Sequence, residues 1–569
     1  MISYYKKNDI GVIEFNDPDS EMNLLSKENF KQLGAIIDSI ATNKVELRAL
    51  FFISKKQNIF IAGADIKELA AMRTEKEVRS FCQNGQRLFR KIASLKMPTF
   101  TIVDGACVGG GMELALSCDH VLATTNKRVK IGLPEVKLGI SPGFGGPHRL
   151  REKIGSKKAN SLMDKGELVS AKEAKELGII DKIIPESRKD DYEGLSKLPG
   201  QLRKLPFGQL TKLTRSEVEE REIKLVIDKI FKKPAQNALS SYLLVDKYKG
   251  RVLLNPPLKR CSVIGAGTMG RGIAYLISLR TGSLVDITDT GKDILKKASS
   301  HVKSVYRNAV TKGILCNSEA RSCFKKINFG DPLSRDTDIV IESITEDVLK
   351  KKILFGQIEK SLRKDCIIAT NTSCIPIEEI SKSLRNAERL IGMHFFNPAY
   401  KMKLVEVIPT RFTSKEVLDS TIGFLRSLKR IPLVVKDSPG FLVNRMVLPY
   451  LNKALFMLKK GFKAEEIENA MLDFGMPMGP LRLLEEIGHD VAYKASKILE
   501  DSFGSRMNVR GRTSNIKCSR PNLEQRLLQP IRREAELCLK EGIVDSREVI
   551  DLALLLGIGF PRSRRIWEI

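Results

Sequence analysis

From Lys259 the chain reads Cys261-Ser262-Val263-Ile264, then Gly265-x-Gly267-x-x-Gly270, then Ile273-Ala274-Tyr275-Leu276. A short run dominated by apolar residues before a glycine loop predicts a buried strand, and the apolar stretch after the loop predicts a helix. A second apolar run reaches Asp289, 19 residues beyond Gly270, where a βαβ unit places its acidic residue. Gly265 permits the turn, Gly267 lets the backbone approach a pyrophosphate, and Gly270 allows the helix to pack closely. Asp289 is placed to bond a ribose 2′-hydroxyl and to repel a 2′-phosphate, so NAD is the expected cofactor rather than NADP. The expectation is a Rossmann-type domain over residues 258–435.

Upstream, residues 1–187 alternate β-rich runs such as Ala49-Leu50-Phe51-Phe52-Ile53 and Thr99-Phe100-Thr101-Ile102-Val103 with amphipathic stretches, an α/β pattern. Residues 188–257 are charged, helix-prone and punctuated by Pro206, Pro234 and Pro256-Pro257, which predicts a helical linker ending in a stiff hinge. Downstream the chain repeats itself. Arg445-Met446-Val447-Leu448-Pro449 with Gly461 is echoed by Arg526-Leu527-Leu528-Gln529-Pro530 with Gly542, and Gly475 by Gly557. Two related all-α half-domains are expected, over 436–508 and 521–569, separated by an irregular polar segment around Arg510 to Pro521.

At 569 residues the chain exceeds one core, and 42% apolar with 29% charged residues describes a globular protein. No apolar run reaches the length of a membrane span, and no targeting segment is read at the amino terminus. The ten cysteines are scattered, with no CxxC pair, so reduced cytosolic thiols are expected, with neither disulfides nor a metal site. The net charge of +28 is spread along the chain, which fits a solvated surface and steering of a polyanionic small molecule better than a nucleic-acid site.

Two further clusters carry chemistry. In Ala62-Gly63-Ala64-Asp65 and Gly109-Gly110-Gly111-Met112-Glu113, small residues allow the Ala64 and Gly110 N–H groups to converge on an oxygen where negative charge develops. Glu113 and Glu135, the latter in Leu133-Pro134-Glu135, offer a proton acceptor and a proton donor. Taken with Leu133 to Gly146, these motifs resemble the crotonase (enoyl-CoA hydratase/isomerase) family over about residues 10–185. The resemblance implies a ββα-spiral fold, with Ala64 and Gly110 as the oxyanion hole. It also implies that Glu113 and Glu135 hold a water; having both carboxylates favours hydratase, with isomerase activity possible at the side.

The second cluster surrounds His394 in Gly392-Met393-His394-Phe395-Phe396-Asn397-Pro398, with Glu406 twelve residues on. A histidine suits removal of a hydroxyl proton, especially when a carboxylate orients it. Asn371-Thr372-Ser373 and Asp437 to Arg445 complete an order that resembles the 3-hydroxyacyl-CoA dehydrogenase family. By that resemblance His394 is the base, Glu406 its partner, and Ser373 and Asn444 bond substrate oxygens; Gln525 stands at the position of Asn444 in the second helical copy.

Both halves together resemble the α-subunits of the bacterial fatty-acid β-oxidation complex and their multifunctional relatives. The resemblance implies acyl-CoA substrates, a separate thiolase chain as partner and a cytoplasmic location. Departures from it are a shorter connector, no Gly-Phe-Tyr segment between 503 and 524, an altered tail from Gly559 to Arg565, and Arg271 in the glycine loop. They leave two rival expectations, an acyl-CoA- or thiolase-binding scaffold of poor turnover and an RNA-binding crotonase-fold protein.

Overall fold

The computed structural model describes residues 2–18, 20–42, 46–197, 214–250, 258–330, 333–507 and 520–569. The chain forms two compact units, residues 1–243 with 312–314, and residues 244–311 with 315–569.

In the first unit the strands alternate between two sheets. Ala49–Ser54, Thr99–Val103, His120–Thr124 and Lys182–Ile184 build the parallel part of a six-stranded sheet, whose antiparallel pair Ile2–Lys7 and Ile10–Phe15 forms one edge. Asn58–Ile61, Gly105–Val108 and Lys130–Gly132 stack in parallel as a second, three-stranded sheet. Each turn of chain thus adds one strand to each sheet, the ββα spiral of a crotonase-like fold. Strand period decides the burial: Phe52 and Leu50 point into the main core, and Phe51 between them into a second cluster with Ile10, Val12, Phe100, Leu122, Tyr192 and Leu195.

The connector is more than a spacer. Its helix Arg215–Ile230 buries Ile223, Val226, Ile227 and Ile230 in the same core as Phe81, Phe89 and Phe144. Pro234 is the second residue of the helix Lys233–Lys249, where a missing N–H costs nothing. Pro206 and Pro256-Pro257 lie outside the described residues.

The second unit centres on an eight-stranded sheet. Its first six strands lie in the order 3-2-1-4-5-6 and are parallel: Ile327–Phe329, Leu284–Thr288, Arg260–Ile264, Ile339–Glu342, Ile367–Thr370, Leu390–Phe395. This is the doubly wound dinucleotide order, with its ligand crevice at the carboxyl ends of strands one and four. Leu404–Pro409 then runs antiparallel to Leu390–Phe395, and Ile431–Val434 closes the sheet. The sequence echo is realised as Val443–Lys459 and Arg520–Lys540, each with an internal proline (Pro449, Pro530), each followed by a left-handed glycine (Gly461, Gly542). The echo ends there. Gly475 closes Ala464–Phe474 in the left-handed region, whereas Gly557 is the last residue of Arg547–Gly557 and Gly559 turns left-handed instead. The polar segment expected around Arg510 to Pro521 lies mostly outside the described residues, and the second helix already begins at Arg520.

Candidate active sites

In the first unit three loops meet. Gly109, at φ +57° and ψ −131°, holds a backbone only glycine adopts readily and starts the helix Gly110–Ala115. A methyl group placed there would stand 3.5 Å from Gly63 Cα and 3.0 Å from Glu135 Oε1, so all three loops converge on one point. Gly110 is the first residue of the helix, where a backbone N–H has no intrahelical acceptor. Ala64 pairs with Leu25 in a parallel bridge that uses the Gly63 carbonyl and the Asp65 N–H, which turns the Ala64 N–H away from that ladder. The two expected donors therefore sit on adjacent loops.

Glu113 is 1% exposed, and its Oε1 accepts N–H bonds from Phe144 (2.9 Å) and Gly146 (2.8 Å). Burial pushes its carboxyl up to about 7, with the Gly146 amide opposing and the Glu222 charge adding to the rise. Glu135 opens a short 3₁₀ turn, Glu135–Leu138. Its Oε2 is buried with no hydrogen-bond partner among the described residues, and burial followed by the Glu113 charge drives its carboxyl well above the usual range. Glu222, beside Glu113, is a residue the sequence reading missed.

In the second unit Gly265, at φ +101°, turns the chain after the first strand, and its N–H donates to Thr288 O at 2.8 Å. A Cβ on Gly270 would stand 1.8 Å from Gly265 O, whereas one on Gly267 would meet nothing within 4 Å. Close helix packing thus needs the last glycine, and open space lies beside the middle one. Gly267 is the N-cap of Thr268–Arg280 without a side-chain cap, so the first amides of that helix are left to an anion. Asp289 follows the second strand and accepts from Ala266 N–H (2.9 Å) and Gly291 N–H (3.1 Å). These residues fit the pyrophosphate and ribose of a dinucleotide.

On the sixth strand and its antiparallel neighbour Leu404–Pro409, His394 and Glu406 are direct partners in register. His394 Nδ1 lies 2.6 Å from Glu406 Oε2, with His394 6% and Glu406 0% exposed. The other carboxylate oxygen, Oε1, accepts from Leu442 N–H (3.1 Å) and Val443 N–H (2.9 Å) at the start of Val443–Lys459. Phe396 and Phe441 pack on the imidazole, with ring centroids at 4.5 and 5.8 Å. Asn444 Nδ2 donates to Ser373 O at 2.8 Å, which brings both residues to one place. Ser373 Oγ donates to Glu346 Oε1 (3.0 Å), which also accepts from the Ser373 and Cys374 amides. Glu346 too was missed, since nothing local marks a carboxylate that serves a loop 27 residues later.

Among the described residues no cluster of His, Cys, Asp and Glu could hold a metal, and no helix is long and apolar enough to cross a membrane.

These features define a protein that joins a crotonase-type domain to an NAD-dependent dehydrogenase. Family models match accordingly: enoyl-CoA hydratase/isomerase over 5–206, the NAD-binding domain of 3-hydroxyacyl-CoA dehydrogenase over 260–438, and that enzyme's C-terminal domain over 440–517. The chain is 30% identical to the fatty acid oxidation complex subunit alpha of Vibrio cholerae over 634 aligned positions, 96% of this chain and 90% of that protein. The chain belongs to the family of fatty acid oxidation complex α subunits. The alignment is longer than the chain itself, so stretches of the relative have no counterpart here. Among solved structures, (S)-3-hydroxybutyryl-CoA dehydrogenase from Ralstonia eutropha is 35% identical, with 44% of this chain and 90% of that chain covered and a TM-score of 0.42. An enoyl-CoA hydratase subunit I from Geobacillus kaustophilus is 31% identical, with 34% and 74% covered and a TM-score of 0.32.

Proposed function

We propose that the chain hydrates trans-2-enoyl-CoA to 3-hydroxyacyl-CoA in its first unit and oxidises that product to 3-ketoacyl-CoA in its second. The observation that carries the reading is the difference between two neighbouring carboxyls. Two amides on Glu113 Oε1 favour its charged form, whereas Glu135 Oε2 has no donor among the described residues and feels the Glu113 charge. The pair therefore holds one proton, on Glu135. Glu113 takes a proton from water as its oxygen bonds to C3, and Glu135 delivers its own proton to C2. The Ala64 and Gly110 N–H groups receive the thioester oxygen while it carries the enolate charge.

In the second unit His394, oriented through Nδ1 by Glu406, takes the proton of the 3-hydroxyl on Nε2, and Ser373 and Asn444 bond substrate oxygens. Gly265, Gly267, Gly270 and Asp289 hold NAD, which when bound supplies the acceptor for the C3 hydride.

In this reading a separate thiolase chain consumes the ketoacyl product, the protein works in the cytoplasm, and it has no specific nucleic-acid partner. The test is NADH absorbance after mixing the protein with an enoyl-CoA and NAD, where turnover requires both sites. A flat trace, with acyl-CoA still bound, would replace this reading with that of a scaffold.

A further inference from the structure

The hydratase family model ends at residue 206, yet the helix Arg215–Ile230 beyond it is built into the hydration site. Gln86 Nε2 donates to Glu219 O at 3.1 Å, and Arg90 pairs with the Glu219 carboxylate at 3.1 Å, which fixes this helix to Glu75–Ala93. One turn on, Glu222 is 4% exposed. Its Oε1 accepts the backbone N–H of His148 at 3.0 Å and lies 3.2 Å from His148 Nδ1, while Oε2 has no hydrogen-bond partner among the described residues.

His148 is the third residue of the helix Gly146–Ile154, and the Gly146 and Phe144 amides at its start are the donors to Glu113. Arg149 Nη1 ties the same turn by donating to Phe144 O (3.1 Å) and Gly145 O (3.0 Å). The turn has no slack, because a Cβ on Gly146 would stand 2.4 Å from Glu113 Cγ. Glu222 thus grips from one side the turn that grips Glu113 from the other.

We propose that Glu222 is a positioning residue for hydration: by accepting the His148 amide it fixes the Phe144–His148 turn whose N–H groups hold Glu113, and it sets a negative charge beside that carboxylate. The charge is not fully cancelled by its surroundings. Glu222 faces Glu113, His148 and Arg149, and Cys82 from Glu75–Ala93; Arg79 acts in turn on Cys82, and Arg215 and Glu219, on the helix of Glu222, act on Arg149. The buried Arg149 lies between the two carboxylates electrostatically, yet the Glu222 charge still raises the Glu113 carboxyl. A like charge disfavours the ionised form of its neighbour, which makes Glu113 a stronger base toward water.

This inference rests on Glu113 as the proton acceptor, and the experiment separates the two. Glu222→Gln keeps an acceptor for the His148 N–H and removes the charge. The acid limb of the hydration kcat should then move to lower pH by about half a unit or more, with KM unchanged. Glu222→Ala also frees the turn and should lower kcat about 10-fold at every pH, the effect of losing a hydrogen bond to a charged group. A cooperative thermal melt with the parental midpoint, together with parental acyl-CoA binding by the first unit, reports that each variant is folded around the hydration site. Should Glu222→Gln fail that control, Glu222→Asp, which withdraws the carboxylate by one methylene, should pass it and lower hydration kcat. A folded variant with the parental limb and kcat overturns the role of Glu222. Retention of full hydration by Glu113→Gln overturns the underlying assignment instead.

Discussion

Replacing Glu406 by glutamine changes one atom and should disable oxidation. The carboxylate uses both oxygens as acceptors, Oε1 from the Leu442 and Val443 amides and Oε2 from His394 Nδ1. A glutamine has one acceptor end and one donor end. If its oxygen faces the two amides, its NH₂ faces Nδ1, the imidazole proton moves to Nε2, and the atom meant to receive the hydroxyl proton is already occupied. If the amide flips, its NH₂ meets two backbone donors in a site with no exposure to water. Losing one charge-assisted bond costs about 1.5–3 kcal/mol, or roughly 10- to 150-fold at 1.36 kcal/mol per decade; a trapped tautomer can cost about 10⁴-fold in kcat. The assay is NADH formation from saturating 3-hydroxyacyl-CoA, with loss of enoyl absorbance as the control for hydration. Hydration should be unchanged. Oxidation within about threefold of the parent would show that the dyad is not the base, because both orientations predict at least about tenfold.

Glu113→Gln should lower hydration by about 10²- to 10⁴-fold and leave oxidation intact, as measured with the two substrates supplied separately. In the unaltered protein the base form of Glu113 is lost as pH falls through about 7, so hydration should decline on the acid side, and a flat profile from 5 to 8 would contradict the assignment. Asp289→Ala removes the acceptor of the Ala266 and Gly291 amides together with the charge that repels a 2′-phosphate, so the preference for NAD over NADP should narrow in paired KM measurements; equal use of both by the parent would refute it. With a net charge of +28, kcat/KM for acyl-CoA should fall as salt rises and the Debye length shortens to about 10 Å at 0.1 M, whereas tight sequence-selective RNA binding at physiological salt would give the charge another purpose.

The parts legible in the sequence are those whose chemistry is local. Gly265, Gly267 and Gly270 could be read because turn, approach and packing are all requirements on glycine within six residues, and the structure gives each its own surroundings. The strands Ala49–Ser54 and Thr99–Val103 could be read because burial on both faces leaves short runs dominated by apolar, aromatic and β-branched residues. The pairing of His394 with Glu406 is local too, since one hairpin-like register joins them. Glu222 and Glu346 could not be read, because each serves a loop 74 or 27 residues away and leaves no periodic trace on its own segment. The connector was legible in part. Its charged, helix-prone residues gave a helical linker, but the four apolar positions that bury Arg215–Ile230 along one stripe did not say which core they would join. Pro449 and Pro530 lie inside helices, where proline ordinarily breaks them.

The amides of Leu442 and Val443 tie the dyad to a stretch of chain outside the dinucleotide-binding domain. His394 and Glu406 both lie within the stretch matched by the NAD-binding family model, which ends at 438, while the two donors that hold Glu406 belong to the helical stretch that begins at 440. A growing chain released at that seam would possess the complete dyad and a cofactor loop, yet nothing to keep the carboxylate pointed at the imidazole. Oxidation therefore depends on the seating of that stretch, since without it Glu406 Oε1 loses both of its backbone donors.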